Sequence, residues 1–307
     1  MIIRKLSKSF EREEEKIKEI NELVEEIDKS VRGFVDVFTF LLKYRILFRG
    51  TGLEFAGYKE YVPGEDDASK IDWKASLKSQ KIYVKQYEEE RNLNIFVLFD
   101  SSSSMLFGTQ EKLKSEYAAI IAGTLAFAGV EVGDNIGFAM FNDKIVNFLE
   151  PIQDISQYYQ ILRLLADKKN YGGACNMKEA LSFVINNVHE RTALFIISDF
   201  IGVGNIEDDI KVCAGKFDRV FGLMVRDPRD ESLPGDLGYI SFSDPFSNKV
   251  VTINVDKIRE KFEIEAKKQA QYIERVFLDS GAGFIKIYTD KPFAESIIKY
   301  LQFIEGY

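Results

Sequence analysis

The sequence predicts an α/β protein with a doubly wound, mostly parallel sheet, preceded by an N-terminal amphipathic helix and a small β-rich region. Three observations support this fold class. From residue 92 onward, strand-like and helix-like segments alternate along the chain. The strand-like runs are rich in β-branched and aromatic residues and are apolar on both faces, as expected for strands covered by helices on both sides. Two of these runs, "IFVLFD" and "LFIISD", end in an aspartate, Asp100 and Asp199.

Residues 1–33 are predicted to form an amphipathic helix. The region is highly charged, but five aliphatic residues recur at alternating three- and four-residue spacings: Ile17, Ile20, Val24, Ile27 and Val31. This spacing gives a helix one narrow apolar stripe, and Gly33 follows as a stop signal. Only about two heptads are present, where a sustained zipper needs about three or four, so the pattern favours a helix lying on its own domain over a dimeric coiled coil.

Residues 34–91 are predicted to form a small accessory β-rich region. It begins with the apolar run "FVDVFTFLL" and continues with "LEFAGYKEYVPGEDDASKIDW". The Pro-Gly turn and the alternating aromatic residues of this stretch are typical of short strands. The segment "KIYVKQY" alternates strongly and predicts a further strand, with Ile82 and Val84 on one face.

Residues 92–307 are predicted to form the α/β domain itself. Strands are expected at "LNIFVLFD", at "NIGFAMFN" and "KIVNFLEP" joined at Asp143, at "ALFIISD", at "VFGLMV" and at "GFIKIYT". Helices are expected over 112–130, near 155–167, 177–189 and 206–215, and over 256–279 and 292–304, with a hairpin over 238–254. Since helices alternate with strands, the sheet is predicted to be mostly parallel.

Composition excludes several classes of function. The 307 residues carry a net charge of -8 with a pI near 5.1, which argues against nucleic-acid binding because no excess of cations is available for phosphates. Two cysteines are too few for a disulfide framework. The first residues lack the apolar core of a signal peptide, and the apolar run "YAAIIAGTLAFAGV" is shorter than the roughly 20 residues of a membrane span. We therefore expect a cytoplasmic protein without an integral membrane segment.

The residues after Asp100 predict an oxygen-rich site. In doubly wound sheets, ligands bind beyond the carboxyl ends of the strands, where Asp100 and Asp199 are both expected. Ser102 and Ser104 follow Asp100 at the second and fourth positions, and in an extended loop their hydroxyls would share a side with its carboxylate. Two hydroxyls and two carboxylates suit a hard cation such as Mg²⁺.

Asp100-x-Ser102-x-Ser104 followed by Met105 resembles the metal-ion-dependent adhesion site of von Willebrand factor type A domains. The resemblance implies Asp199 as the later aspartate of that site and a bound Mg²⁺, Mn²⁺ or Ca²⁺. It also implies a threonine in a Gly-Gly-Thr stretch, where this chain has "GGACNMKEAL" and therefore Cys175. A thiol is a soft ligand that suits Mg²⁺ poorly. The metal site is therefore expected either to be intact or to have lost the ligand at Cys175.

The segment upstream of the serines resembles a second, narrower family. "GYKEYVPGEDDASKIDWKASLKSQKIYVKQYEEERN" running into "FDSSSSM", with "DPRDESLP" further on, is similar to the domain-of-unknown-function 58 proteins. The resemblance spans roughly residues 50 to 305. It implies an adaptor or chaperone component that acts with a MoxR-type AAA ATPase, and a von Willebrand factor A-like domain as its main part.

These observations predict a non-enzymatic protein that uses the edge of its sheet to bind an acidic group of a partner protein. One alternative is a Mg-dependent phosphatase with Asp100 as nucleophile, but such enzymes need a second aspartate two residues on, where Ser102 stands. A serine hydrolase would have to use His189, the single histidine of the sequence. The other alternative is a structural scaffold that dimerises through the N-terminal helix, so the oligomeric state is left open.

Overall fold

The computed structural model describes residues 18–34, 55–62, 66, 71–73, 75–76, 81–87, 93–235, 238–243 and 249–305. The chain divides into two compact units. One is Arg45–Asn92, and the other is Leu93–Tyr307 together with the N-terminal segment Met1–Tyr44.

The larger unit contains a six-stranded sheet in the order β10-β7-β6-β3-β4-β5. The strands are β3 (Asn94–Asp100), β4 (Asn135–Phe141), β5 (Ile145–Ile152), β6 (Thr192–Ser198), β7 (Arg219–Arg226) and β10 (Gly283–Tyr288). All neighbours are parallel except β4 and β5, which form an antiparallel hairpin because the three residues between them are too few for a crossover. β3 is the first strand of this sheet along the chain. β4 and β5 follow on one side of it, and β6, β7 and β10 follow on the other. The predicted doubly wound, mostly parallel sheet is confirmed.

Helices cover both faces of this sheet. They are α1 (18–32), α2 (Lys114–Val132), α3 (Ile155–Ala166), α4 (Met177–Asn187), α5 (Glu207–Lys216), α6 (Val255–Asp279) and α7 (Phe293–Glu305). Successive strand residues point to opposite faces, so Phe96 and Leu98 join the core beneath α4, α5 and α6. Ile95 faces the other layer, where it lies close to Gly129 of α2.

Helix α2 is the central helix of its layer. It is long and apolar enough to cross a membrane by length and composition, and 67% of its most apolar window is buried inside the protein. Apolar side chains and small residues on most of its circumference explain this burial, since its neighbours surround it with strands and further helices. The prediction of a buried core helix is confirmed.

Helix α1 lies on α2 and α3. Val31 is fully buried and packs over Gly123, where an added Cβ would lie 2.9 Å from Val31 Cγ2. The hydroxyl of Tyr158 in α3 donates to Asp28 Oδ1 at 2.7 Å. The guanidinium of Arg32 lies over the ring of Phe127, 5.3 Å from its centroid. This is the arrangement that the short apolar stripe favours.

Two smaller antiparallel pairs complete the described structure. In the smaller unit, β1 (Phe55–Glu60) pairs with β2 (Tyr83–Tyr87), and Ile71 forms an isolated bridge with Val84. The Pro-Gly turn predicted between them lies outside the described residues. In the larger unit, β8 (Tyr239–Ser243) pairs with β9 (Val250–Asn254) as the predicted hairpin, and α6 follows β9 directly.

Candidate functional site

The carboxylates of Asp100 and Asp199 lie at the same edge of the sheet. Asp100 is the last residue of β3, and Asp199 follows the last residue of β6. These strands are parallel neighbours, with Phe99 paired to Ile197, so both chains leave the sheet side by side. Both side chains are fully buried. This edge is also the switch point of the topology, because the strand order reverses between β3 and β6.

The serines after Asp100 form a turn and not the extended loop that the sequence suggested. Ser102 is extended, but residues Ser103–Leu106 form one turn of 3₁₀ helix, with Met105 N donating to Ser102 O. Met105, within this turn, is fully buried, so the turn packs against the core. The hydroxyls of Ser102 and Ser104 still converge, with their oxygens 3.2 Å apart.

A glycine loop places Cys175 against Asp100. Gly172 and Gly173 have φ values of +120° and +79°, a region that favours glycine because it has no Cβ. Gly172 N donates to Ser101 O, and Ser103 N donates to Gly173 O, so this loop is joined to the serine turn by backbone hydrogen bonds. Cys175 Sγ then donates to Asp100 Oδ2 at 3.4 Å.

Asp100 is held by groups from three parts of the chain. Its Oδ1 accepts from Ser102 N at 2.9 Å, and its Oδ2 accepts from Ser198 Oγ at 2.6 Å in addition to Cys175. Burial, together with the nearby charge of Asp199, raises the pKa of Asp100 to about 6. A fully buried carboxylate whose two oxygens are both hydrogen-bonded is poorly placed to attack a phosphorus atom, which disfavours the phosphatase alternative.

The structure also disfavours a serine hydrolase. His189 is exposed and lies just before β6 begins. Its Nδ1 accepts a hydrogen bond from Arg191 N. The start of β6 is at the opposite edge of the sheet from Asp199, so the imidazole cannot reach the serine hydroxyls.

The sequence prediction missed Lys114, and with it Asp230, which Lys114 contacts. Lys114 is the first residue of α2, and its side chain is only 1% exposed. Its Nζ lies 2.7 Å from Asp199 Oδ2 and 3.0 and 3.2 Å from the two carboxylate oxygens of Asp230. A lysine that opens an otherwise apolar helix is the one sequence signal that could have found it, because lysine is seldom fully buried without a charged partner.

Asp230 is fixed by a short capped turn after β7. Asp227 N donates to Asp230 Oδ2 at 2.9 Å, and Asp227 accepts from Arg229 N at 2.8 Å. The Asp227 carboxylate also accepts from the backbone N–H and the hydroxyl of Thr109, at 2.7 and 2.8 Å. The turn therefore joins the end of β7 to the segment between the serine turn and α2. Burial raises the pKa of Asp230, against the opposing effect of the Lys114 charge.

The carboxylates of this edge already have a positive charge and hydrogen-bond donors around them, which disfavours a divalent cation. All four oxygens of Asp100 and Asp199 already accept hydrogen bonds, the last of them from Ile201 N to Asp199 Oδ1 at 2.9 Å. The ammonium of Lys114 supplies one positive charge where a metal ion would supply two. Within the described residues, no group of three or more His, Cys, Asp or Glu side chains could hold a metal ion.

The remaining donors are equally poor for a hard cation. Cys175 directs a proton toward Asp100 at the position where the resemblance implies a hydroxyl ligand. Burial and the charge of Asp100 raise the pKa of this thiol, so the sulfur keeps its proton. Only the hydroxyls of Ser102 and Ser104 remain as oxygen donors that point at one another. Metal binding by Asp100, Ser102, Ser104, Asp199 and Cys175 stays a prediction, and this geometry argues against it.

Comparison with known proteins gives one match to a family and several to individual proteins. The model of the family described as "Protein of unknown function DUF58" matches residues 57–272. The uncharacterized protein Rv1480 of Mycobacterium tuberculosis is 25% identical over 258 residues, which are 83% of this chain and 80% of that protein. The uncharacterized protein YeaD of Bacillus subtilis is 32% identical over 112 residues, which are 36% of this chain and 25% of that protein.

Solved structures give weaker similarities. The conserved hypothetical protein BatB from Bacteroides thetaiotaomicron superposes with a TM-score of 0.43 at 17% identity, covering 70% of this chain and 100% of that one. A von Willebrand factor type A structure from Catenulispora acidiphila superposes with a TM-score of 0.39 at 9% identity, covering 71% of this chain and 43% of that one. Such scores carry no argument about function.

Proposed function

The chain belongs to the family of proteins of unknown function DUF58, and on that premise we propose that it is a non-enzymatic protein-binding module. Its recognition edge is the surface formed at the carboxyl ends of β3 and β6 by residues 101–107, 172–176 and 200–205. Ligands bind to doubly wound sheets at this edge, because the loops that leave neighbouring strands there can be varied without disturbing the sheet.

The observation that carries the proposal is a fixed apolar pair beside the buried polar groups. Leu106 and Phe107 are 44% and 42% exposed, yet they belong to a turn that is tied to the core. Phe107 O accepts from Lys114 N at 3.0 Å, and the Phe107 ring lies over the Lys114 ammonium, 5.5 Å from its centroid. Exposed apolar side chains that are already ordered lose little entropy on binding, and such residues form the centres of protein interfaces.

The other two loops of this edge expose small residues. Gly173 and Ala174 are exposed in one loop, and Gly202, Gly204 and Asn205 are exposed in the other. Loops of this kind present hydrogen-bonding groups without large side chains in front of them. An apolar centre with a polar rim is the usual composition of a protein interface.

We propose the degenerate form of the adhesion-type site. The sequence predicts that a cation captures an acidic group of the partner, but the groups at this edge disfavour a divalent cation. The buried carboxylates of Asp100, Asp199, Asp227 and Asp230 outnumber the buried cations Lys114 and Arg226, so a carboxylate of the partner would meet excess negative charge. In our proposal, apolar and hydrogen-bonding groups of the partner make the contact instead.

The partner that we propose is a MoxR-type AAA ATPase in the cytoplasm, as the family resemblance implies. The test is binding of the purified chain to the MoxR-type ATPase of the same organism, with Leu106→Ser compared against Ile152→Ser. Both residues are 44% exposed, and Ile152 pairs with Ile136 at the start of β4, at the opposite edge of the sheet. We expect Leu106→Ser to weaken binding by about tenfold, as for a central interface residue, while Ile152→Ser leaves it unchanged.

Co-purification of the wild type and Asp100→Ala from cells tests the partner itself. The ATPase should accompany the wild type and be lost with the variant, because Asp100 joins the serine turn, β6 and the glycine loop. Equal weakening by Leu106→Ser and Ile152→Ser would show that binding occurs elsewhere. If no AAA ATPase accompanies the wild type, the proposed partnership is wrong.

A further inference from the structure

The ammonium of Lys114 has a complete set of hydrogen-bond acceptors. Its three protons have three carboxylate oxygens within 3.2 Å, one from Asp199 and two from Asp230. The side chains of Lys114, Asp199 and Asp230 are 1%, 0% and 7% exposed. A buried ion pair is tolerated only when good geometry and further hydrogen bonds offset the loss of hydration, and this triad meets both conditions.

The chain holds each member of the triad independently of the others. The backbone N–H of Lys114 donates to Phe107 O, which ties the start of α2 to the serine turn. Asp199 Oδ1 accepts from Ile201 N, which orients its other oxygen toward the ammonium. Asp230 is fixed by Asp227 N. The ammonium and the two carboxylates therefore come from three separate segments of the chain, and each segment is held in position by hydrogen bonds other than the ion pairs.

A divalent ion would have to compete with this arrangement. Mg²⁺ needs close to octahedral oxygen coordination at about 2.0–2.1 Å and gives up its water reluctantly. A divalent ion bound at Asp199, directly or through water, would place its positive charge beside the buried ammonium of Lys114. At the threonine position of the adhesion-type site, Cys175 offers no hard oxygen in return.

We infer that Lys114 is the permanent cation of the recognition edge: its ammonium neutralises Asp199 in place of a divalent metal ion, and the edge works without one. The inference deepens the proposed function, since it concerns the same edge, but it is tested on the pure protein without any partner. The positive charge that neutralises Asp199 is thus a side chain of α2 and not a bound ion.

The experiment is titration of the metal-free full chain with Mg²⁺, followed by calorimetry and by the shift of the melting temperature. The wild type and Cys175→Thr are compared with the triple variant Lys114→Met/Asp230→Asn/Cys175→Thr. This variant removes the ammonium of Lys114 together with the carboxylate charge of Asp230, so the net charge near Asp199 is unchanged while the cation that contacts Asp199 is lost. It also restores a hydroxyl at position 175.

We expect no heat and no thermal shift for the wild type and for Cys175→Thr. The triple variant should bind Mg²⁺ saturably and melt at a higher temperature when Mg²⁺ is present. Saturable Mg²⁺ binding by the wild type would overturn the inference, and this measurement does not depend on any variant folding. A triple variant that melts cooperatively but ignores Mg²⁺ would also overturn it, because the ammonium would then not be what replaces the metal. Loss of ATPase binding would bear only on the proposed function.

Discussion

Replacing Lys114 by methionine tests the buried triad through the stability of the fold. Methionine has nearly the same length and volume, so the substitution leaves no large cavity and removes mainly the charge. Asp199 and Asp230 then remain buried without their counter-ion. Breaking a buried ion pair by removing one partner costs about 3–5 kcal/mol. Loss of the cation–π contact with Phe107 adds about 0.5–1 kcal/mol, so we expect the free energy of unfolding to fall by about 4 kcal/mol.

Lys168→Met is the matched control. Lys168 Nζ lies 2.7 Å from Glu19 Oε1, the same distance as between Lys114 Nζ and Asp199 Oδ2, but the side chains of Lys168 and Glu19 are 77% and 57% exposed. Water screens this pair, so its removal should not change stability measurably. Urea unfolding at neutral pH, followed by circular dichroism, gives both values. Equal stabilities for Lys114→Met and Lys168→Met would refute the reasoning that burial makes the triad strong.

The loss of stability caused by Lys114→Met should change with pH in a predictable direction. Without the ammonium, the pKa of Asp230 should rise further in the folded state, which then binds more protons than the unfolded chain. The deficit of Lys114→Met should therefore shrink as pH falls and this carboxyl group becomes protonated. Asp199→Asn and Asp230→Asn, added to Lys114→Met, should restore much of the stability at neutral pH, because no uncompensated charge remains buried.

Two further predictions concern other parts of the larger unit. The pKa of Asp100 is raised from 3.8 to about 6, so the folded state holds an extra proton between these values and stability falls as pH rises through that window. Unfolding of Asp100→Asn at a series of pH values should therefore show a gain over the wild type of up to about 3 kcal/mol between pH 4 and 7, and a constant difference would contradict it. Tyr158→Phe removes the hydrogen bond that ties α3 to α1 and should cost about 1.5 kcal/mol in urea unfolding. Tyr159→Phe, on the 39% exposed neighbour, should cost nothing measurable, and equal losses would mean that α1 does not dock as described.

The fold could be predicted from the sequence to a large extent because its signals are local. Runs such as "NIFVLFD" and "TALFIIS" are short, apolar on both faces and rich in β-branched and aromatic residues, and this pattern is typical of strands that are covered on both sides. The apolar residues of 114–132 surround most of their helix, which predicts burial at the centre of a layer. The serine turn was less predictable. Its 3₁₀ conformation accompanies the burial of Met105, which is a tertiary contact.

The sequence by itself determined that two strands end in aspartate and that hydroxyls follow Asp100. It also determined the family, since the motifs of residues 57–272 are spaced along the chain in a recognisable order. Parallel pairing of β3 and β6 then makes it necessary that both carboxylates meet at one edge.

Only the tertiary structure decided which positively charged side chain pairs with those carboxylates. Lys114 lies 85 residues from Asp199 and 116 from Asp230 along the chain. No local pattern relates the three, and they meet because α2 crosses the sheet beside the ends of β6 and β7. The strength of a charged side chain's interactions depends on how much water surrounds it. Burial, in turn, is a property of the assembled layers of helices and sheet. For that reason the sequence indicated a metal site, and only the folded chain shows that the ammonium of Lys114 lies against Asp199 and Asp230.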